Sequence, residues 1–273
     1  MARFPSAPLL VLAAWLGGAA AGSAAEVREA TIVGTAFRIT LADGSVLTQD
    51  DLIGAVLEAA DAEGRELTVR IDGHRADPLD PSGETVLYNL STPDPAGTDA
   101  WLELCAPGPD GVRAGFPLAG AWTAAGGHDP AAPGSFFITC TSGAIGKCVR
   151  LGYRPWRTGP DGRPLRDLHQ ACVRAVRADY CGDGRAHTRD GTPVDLYDGG
   201  GIQRDEPAPG MRFEAAWGAD GAVCVARPRR PELTPPEALE GLCPARLAGR
   251  TGAAACREDG VRGLPGVLML TRS

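Results

Sequence analysis

The sequence predicts an α+β protein: an antiparallel β-rich N-terminal region followed by a disulfide-rich β/α domain with two short helices. Three observations predict it. Apolar and polar residues alternate through much of residues 26–104, the period of a half-buried strand. Eight cysteines follow, an even set confined to residues 105–256 of a 273-residue chain. Between them stand two short windows in which apolar residues recur at helical spacing.

Residues 1–25 read as a signal peptide. Arg3 supplies a short positive region, Leu9 to Leu16 an apolar run too short to span a bilayer, and Ser23-Ala24-Ala25 the small residues a signal peptidase cuts after. The expected mature chain starts at Glu26, has no transmembrane segment once the signal is removed, and is secreted or periplasmic.

Residues 26–104 form the β-rich N-terminal region. Phe37, Ile39 and Leu41 alternate with Arg38 and Thr40, and Asp43-Gly44 offers a hairpin turn into Ser45-Val46-Leu47. Leu67, Val69 and Ile71 repeat the pattern, as do Val86, Tyr88 and Leu90, and Trp101 to Cys105 reads as one more strand. Leu52 to Ala60 is expected as a strand, paired with Glu66 to Asp72 through the turn Ala62-Glu63-Gly64.

Residues 105–230 form the cysteine-rich domain. Ala106 to Pro133 is loop around a short strand ending at Trp122, and Ser135 to Cys140 is a buried strand. Ser142 to Leu151 and Pro164 to Asp179 are the two helices. In the second, Leu165, Leu168, Cys172, Val173 and Val176 share the inner face, which directs Arg166, Gln170, Arg174 and Arg177 to solvent. Cys148 and Cys172 both fall on apolar faces, so a bridge between the helices is natural. After a Gly182-Asp183-Gly184 turn, strands return at Val194 to Leu196 and Met211 to Trp217, and Gly218-Ala219-Asp220-Gly221 turns into Ala222 to Ala226. Residues 231–273 read as a proline-rich, extended tail with a local pair, Cys243 and Cys256.

Charge narrows the function classes. The chain carries 27 basic and 34 acidic residues, for a net charge of −7, and every basic residue but Lys147 is arginine. A nucleic-acid binder needs a basic face to neutralise phosphates, and a polybasic membrane binder needs the same, so neither class fits. The expected partner is an envelope or extracellular one. Cys105, Cys140, Cys148, Cys172, Cys181, Cys224, Cys243 and Cys256 form an even set in an exported chain and imply four disulfides. On the order of a hundred pairings satisfy that count, and spacing alone does not choose among them. No C-x-x-C pair occurs, which argues against zinc-ribbon and thioredoxin-type chemistry.

The run Arg177-Ala178-Asp179-Tyr180-Cys181-Gly182-Asp183-Gly184, with KCVRLGYRPW (147–156), HTRDGTPVDLYD (187–198) and FEAAWGADGAVC (213–224), resembles the bacterial ADYC domain family. The likeness runs from about residue 100 to about residue 230. It implies an exported or envelope-associated module and brings no catalytic residues to carry over.

Candidate chemistry therefore rests on residue types. Asp179, Asp183, His187, Arg189 and Asp190 are the densest polar cluster. Asp183 and Asp190 around His187 could make a general acid–base site, the basis for a secreted hydrolase as the alternative function. Asp179, Asp183 and Asp190 could instead hold calcium, although no EF-hand spacing is present. The plainer reading is a turn-rich connection in which Asp179 ends the helix. His169 and Cys172 stand at metal-ligand spacing on one helix, but a disulfide at Cys172 competes. Tyr153, Trp156, Tyr180 and Trp217 could form a stacking platform, with core packing the commoner use. No GxSxG, HExxH, P-loop or dinucleotide motif occurs. The leading expectation is an exported, disulfide-stabilised module for recognition or structure, with no cofactor.

Overall fold

The computed structural model describes residues 26–60, 65–123, 126–129, 135–159 and 162–273. The signal peptide expected at 1–25 and the turn expected at 62–64 lie outside the described residues. The chain divides into two compact units, one comprising residues up to Ala121 with Asp129–Gly146, the other Trp122–His128 with Lys147–Ser273.

The first unit is mainly β. Strands β1 (Val27–Val33), β2 (Ala36–Leu41) and β3 (Val46–Thr48) make an antiparallel three-stranded sheet. The alternation at 37–41 works as expected: Phe37 and Ile39 are buried while Arg38 is exposed. The segment expected as a strand from Leu52 begins instead with a single 3-10 turn at Gln49–Leu52. There the Asp51 carboxylate accepts the Thr48 N–H at 3.0 Å and curls the chain. Strand β4 (Val56–Ala60) follows and pairs with β5 (Glu66–Ala76). With β6 (Val86–Pro93), β7 (Trp101–Glu103), β8 (Gly115–Ala119) and β11 (Phe136–Cys140) these build a six-stranded sheet in the order β11-β8-β6-β5-β4, with β7 on β6. Two-residue strands β9 (Ala121–Trp122) and β10 (His128–Asp129) intervene in the chain. Tyr88 and Phe136 meet Phe37 edge-on at 5.3 and 5.4 Å, the preferred geometry for aromatic pairs. Cys105–Cys140 fastens this unit.

The second unit is a four-stranded antiparallel sheet with a helix across it. Helix α1 (Ala144–Arg150) enters it, and α2 (Arg166–Arg177) packs on the sheet formed by β12 (Asp195–Asp198), β13 (Phe213–Gly218), β14 (Gly221–Val225) and β15 (Met269–Arg272). The order is β12-β15-β13-β14, so the strand nearest the C-terminal end of the sequence lies inside the sheet. Cys148–Cys172 joins α1 to α2, as their apolar faces imply.

Three further expectations change. Residues 231–273 are not an extended tail: α3 (Pro236–Leu242), α4 (Pro244–Leu247), α5 (Glu258–Val261) and β15 occupy them. Pro236 and Pro244 sit in first helical turns, where a missing N–H costs nothing, so these prolines start helices. Cys243 and Cys256 are not a local pair. Cys243 bonds Cys181 and Cys256 bonds Cys224, each tying the C-terminal helices to the sheet region. Gln170 and Arg174 do not face solvent, being only 7% and 5% exposed, because each has a polar partner inside the fold. For Gln170 these are the His128 N–H at 3.1 Å and the Gly126 carbonyl at 2.8 Å.

Candidate functional site

The residues Ala178-Asp179-Tyr180-Cys181 leave the end of α2. Ala178 takes the left-handed conformation at φ 50, and its N–H and that of Asp179 return to Ala175 O and Arg174 O at 3.1 and 2.9 Å. This closes the helix in the manner of a left-handed C-cap, without the usual glycine. The reversal drives Asp179 inward, where its carboxylate accepts the N–H groups of Gly182, Asp183 and Gly184 at 2.9, 3.2 and 3.0 Å. Arg174 Nη1 donates to it at 2.5 Å. Both partners are buried, at 0% and 6% side-chain exposure, so the charge is balanced inside the protein. Gly182 is required there: at φ 76, an added Cβ would stand 1.8 Å from the Asp220 carbonyl oxygen in the β13–β14 turn.

Tyr180 anchors a second buried network. Its hydroxyl donates to Glu214 Oε1 at 2.9 Å and accepts the Arg229 N–H at 2.9 Å. Arg229 Nε donates to Glu214 Oε2 at 2.9 Å, and its two terminal nitrogens reach the Val176 and Ala175 carbonyls at 3.0 and 2.6 Å. A guanidinium on the last carbonyls of a helix also meets the negative end of the helix dipole. Thr271 of β15 donates to Glu214 at 3.1 Å and accepts Trp217 Nε1 at 2.9 Å. Burial, then the Glu214 carboxylate, push the Tyr180 phenol well above its ordinary 10.0, so it stays a donor. Cys181 completes the run by its bond to Cys243.

The candidate acid–base residues lie just outside this core. His187 is half-buried and stacks on Tyr180, with ring centres 5.9 Å apart and planes at 21°. Burial lowers its pKa from 6.5, with Asp183 opposing. Asp183 accepts the Arg185 N–H at 3.0 Å and faces Arg185 Nε at 3.6 Å. Asp190 is exposed in the turn closed by Thr192 N–H to Arg189 O at 3.1 Å. Among the described residues no hydrogen bond joins Asp183 or Asp190 to the His187 ring, and no group of three or more His, Cys, Asp or Glu is assembled to hold a metal ion. Asp179 is already held by Arg174 and the three N–H groups. His169 is buried edge-on to Trp122 at 6.1 Å, while Cys172 beside it is in a disulfide. Of the aromatic platform, Tyr153, Tyr180 and Trp217 are buried.

Glu214, Arg229, Arg174 and Thr271 are the participants that sequence periodicity overlooks. Glu214 did carry a signal, as a lone carboxylate within the apolar run Phe213 to Trp217. The unit also has a cleft of about 840 Å³ between the start of α2 (Pro164, Leu168), the end of β12 (Tyr197, Asp198) and the Arg262–Leu270 stretch. Arg262 and Arg272 lie over the Tyr197 ring at 5.1 and 4.6 Å, and Arg262 pairs with Asp205 and Glu258 at 2.8 and 2.6 Å.

The family model of the ADYC domain matches residues 49–231, a span that holds the signature and β12 to β14 but ends before β15. No curated protein and no solved structure matches the chain.

Proposed function

The chain belongs to the ADYC domain family, and we propose that it is an exported, disulfide-stabilised module of the cell envelope or extracellular space with a recognition or structural role. The observation that carries this reading is the use of the signature itself. Asp179, Tyr180 and Cys181 each have their reactive atoms bonded within the fold, so the signature secures architecture. Four disulfides support an oxidising compartment. The cleft of about 840 Å³ is a concave feature of the second unit whose volume lies in the range of small-molecule sites.

A secreted hydrolase centred on Asp183, His187 and Asp190 has less support, because among the described residues neither carboxylate is hydrogen-bonded to the His187 ring. Non-reducing peptide mapping of protein recovered from its native host tests the main reading. The expected result is a chain starting at Glu26, with bridged peptides containing Cys105–Cys140, Cys148–Cys172, Cys181–Cys243 and Cys224–Cys256. Recovery of a chain that keeps Met1 and has titratable thiols would overturn it. Hydrolytic activity lost in a doubly substituted His187→Ala, Asp183→Ala protein of unchanged melting would move the assignment to the hydrolase.

A further inference from the structure

Residues 185–194 run from the signature turn to β12 without helix or strand. Among the described residues, one backbone–backbone hydrogen bond ties this segment to what lies beneath it, from the His187 N–H to Arg177 O at 3.0 Å. A longer contact, Arg229 Nη1 to Thr188 Oγ1 at 3.4 Å, adds little. Few buried contacts and few backbone bonds mark a region that opens locally before the rest of a protein unfolds.

The part of this segment that meets the signature is the His187 ring, against Tyr180. It stacks on Tyr180, and Tyr180 stacks on Trp217 at 5.3 Å and 18°, so three rings form a column from the core to the surface. The charges facing the imidazole are Asp179 and Asp183 on the signature turn, Arg185 on its own segment and Arg230 beyond β14. Both carboxylates already face arginines, Asp179 with Arg174 and Asp183 with Arg185. A proton on His187 therefore places charge in a half-buried position against the Tyr180 ring, where burial opposes it more than Asp183 favours it.

We propose that residues 185–194 form an acid-released flap with His187 as its latch, closed on Tyr180 at neutral pH and lifted on protonation to uncover the Tyr180 ring. The direction follows from linkage: burial lowers the closed-state pKa of His187 below 6.5, so the closed form prefers the neutral ring. The open fraction grows as pH falls through the histidine range.

The test is amide hydrogen exchange and histidine NMR on the full chain, from about pH 7.5 to about pH 4.5. After correction for intrinsic exchange, protection at 185–194 should be lost in acid while that of α2 persists, and the His187 ring should titrate below 6.5. The His187→Phe variant should keep the segment protected throughout, because the stack survives without a titrating group. His187→Gln should leave the segment open at neutral pH. The proposal fails if His187 titrates at or above 6.5, if wild-type protection is unchanged across the range, or if His187→Phe opens with the same pH dependence. The wild-type titration decides the matter by itself should a variant not fold.

Discussion

Replacing Asp179 by asparagine leaves the Arg174 guanidinium, only 6% exposed, facing a neutral group. Removing one member of a buried ion pair costs about 3–5 kcal/mol, because the survivor keeps its desolvation penalty without its partner. Three backbone N–H groups also lose an anionic acceptor. Arg174→Met strands the carboxylate in the same way and is expected to cost a similar amount. The doubly substituted protein buries no charge at these two positions, so its loss should approach that of one single variant, which implies a coupling of about 3–5 kcal/mol. For a domain of this size, about 2–4 °C of melting temperature accompanies each kcal/mol, so each single variant should melt about 6–20 °C lower. Urea and thermal unfolding of the oxidised proteins, followed by near-UV circular dichroism and tryptophan fluorescence, measure all four corners of the cycle. Additive single effects, or a cost below about 1 kcal/mol for Asp179→Asn, would show that the pair is not the support inferred here.

Gly182→Ala should cost about 3–5 kcal/mol, since the new methyl group overlaps the Asp220 carbonyl and φ is +76; an unchanged melting curve would contradict the packing of the signature on the β13–β14 turn. Replacing Cys181 and Cys243 together by serine opens a loop spanning 62 residues and should lower stability by about 4 kcal/mol on the chain-entropy account, as read by urea unfolding. A chain ending at Leu268 lacks β15, and it should lose the near-UV signal of Trp217 and bind a hydrophobic dye; a native spectrum would refute the strand's central place. Hydrogen bonding from Arg272, opposed by burial and then reinforced by Arg262, lowers Asp205 from 3.8 to about 2. A depressed carboxylate stabilises the fold above its unfolded pKa and ceases to do so as pH falls through the folded one. The melting difference between wild type and Asp205→Asn should therefore be full near pH 5 and vanish toward pH 2, and a difference that persists in acid would contradict the pairing.

Local pattern makes the elements legible and leaves their partners hidden. The spacing of Leu165, Leu168, Cys172, Val173 and Val176 is enough to identify α2, and the alternation at Phe37–Leu41 enough to identify β2. The same spacing misassigns Gln170 and Arg174, because periodicity sorts residues by polarity and cannot see a buried acceptor 5 residues further on, such as Asp179. Cys181 finds Cys243 across 62 residues, a pairing decided by the sheet between them. Proline content makes residues 231–273 read as extended backbone, whereas position within the first helical turn decides what a proline does. The Asp and His candidates at 183–190 are visible as residue types, but the stacking of His187 on Tyr180 depends on the turn at 182–184, which returns the His187 N–H to Arg177 O.

The interior position of β15 also sets an order of events. Synthesis proceeds from the amino end, so β12 and β13 emerge with a gap one strand wide between them, and Trp217 and Glu214 wait for Thr271. Helices α1 and α2 are complete once Arg177 has been added, but the sheet of the second unit is not, and chains stalled before Met269 should remain open to chaperones and proteases.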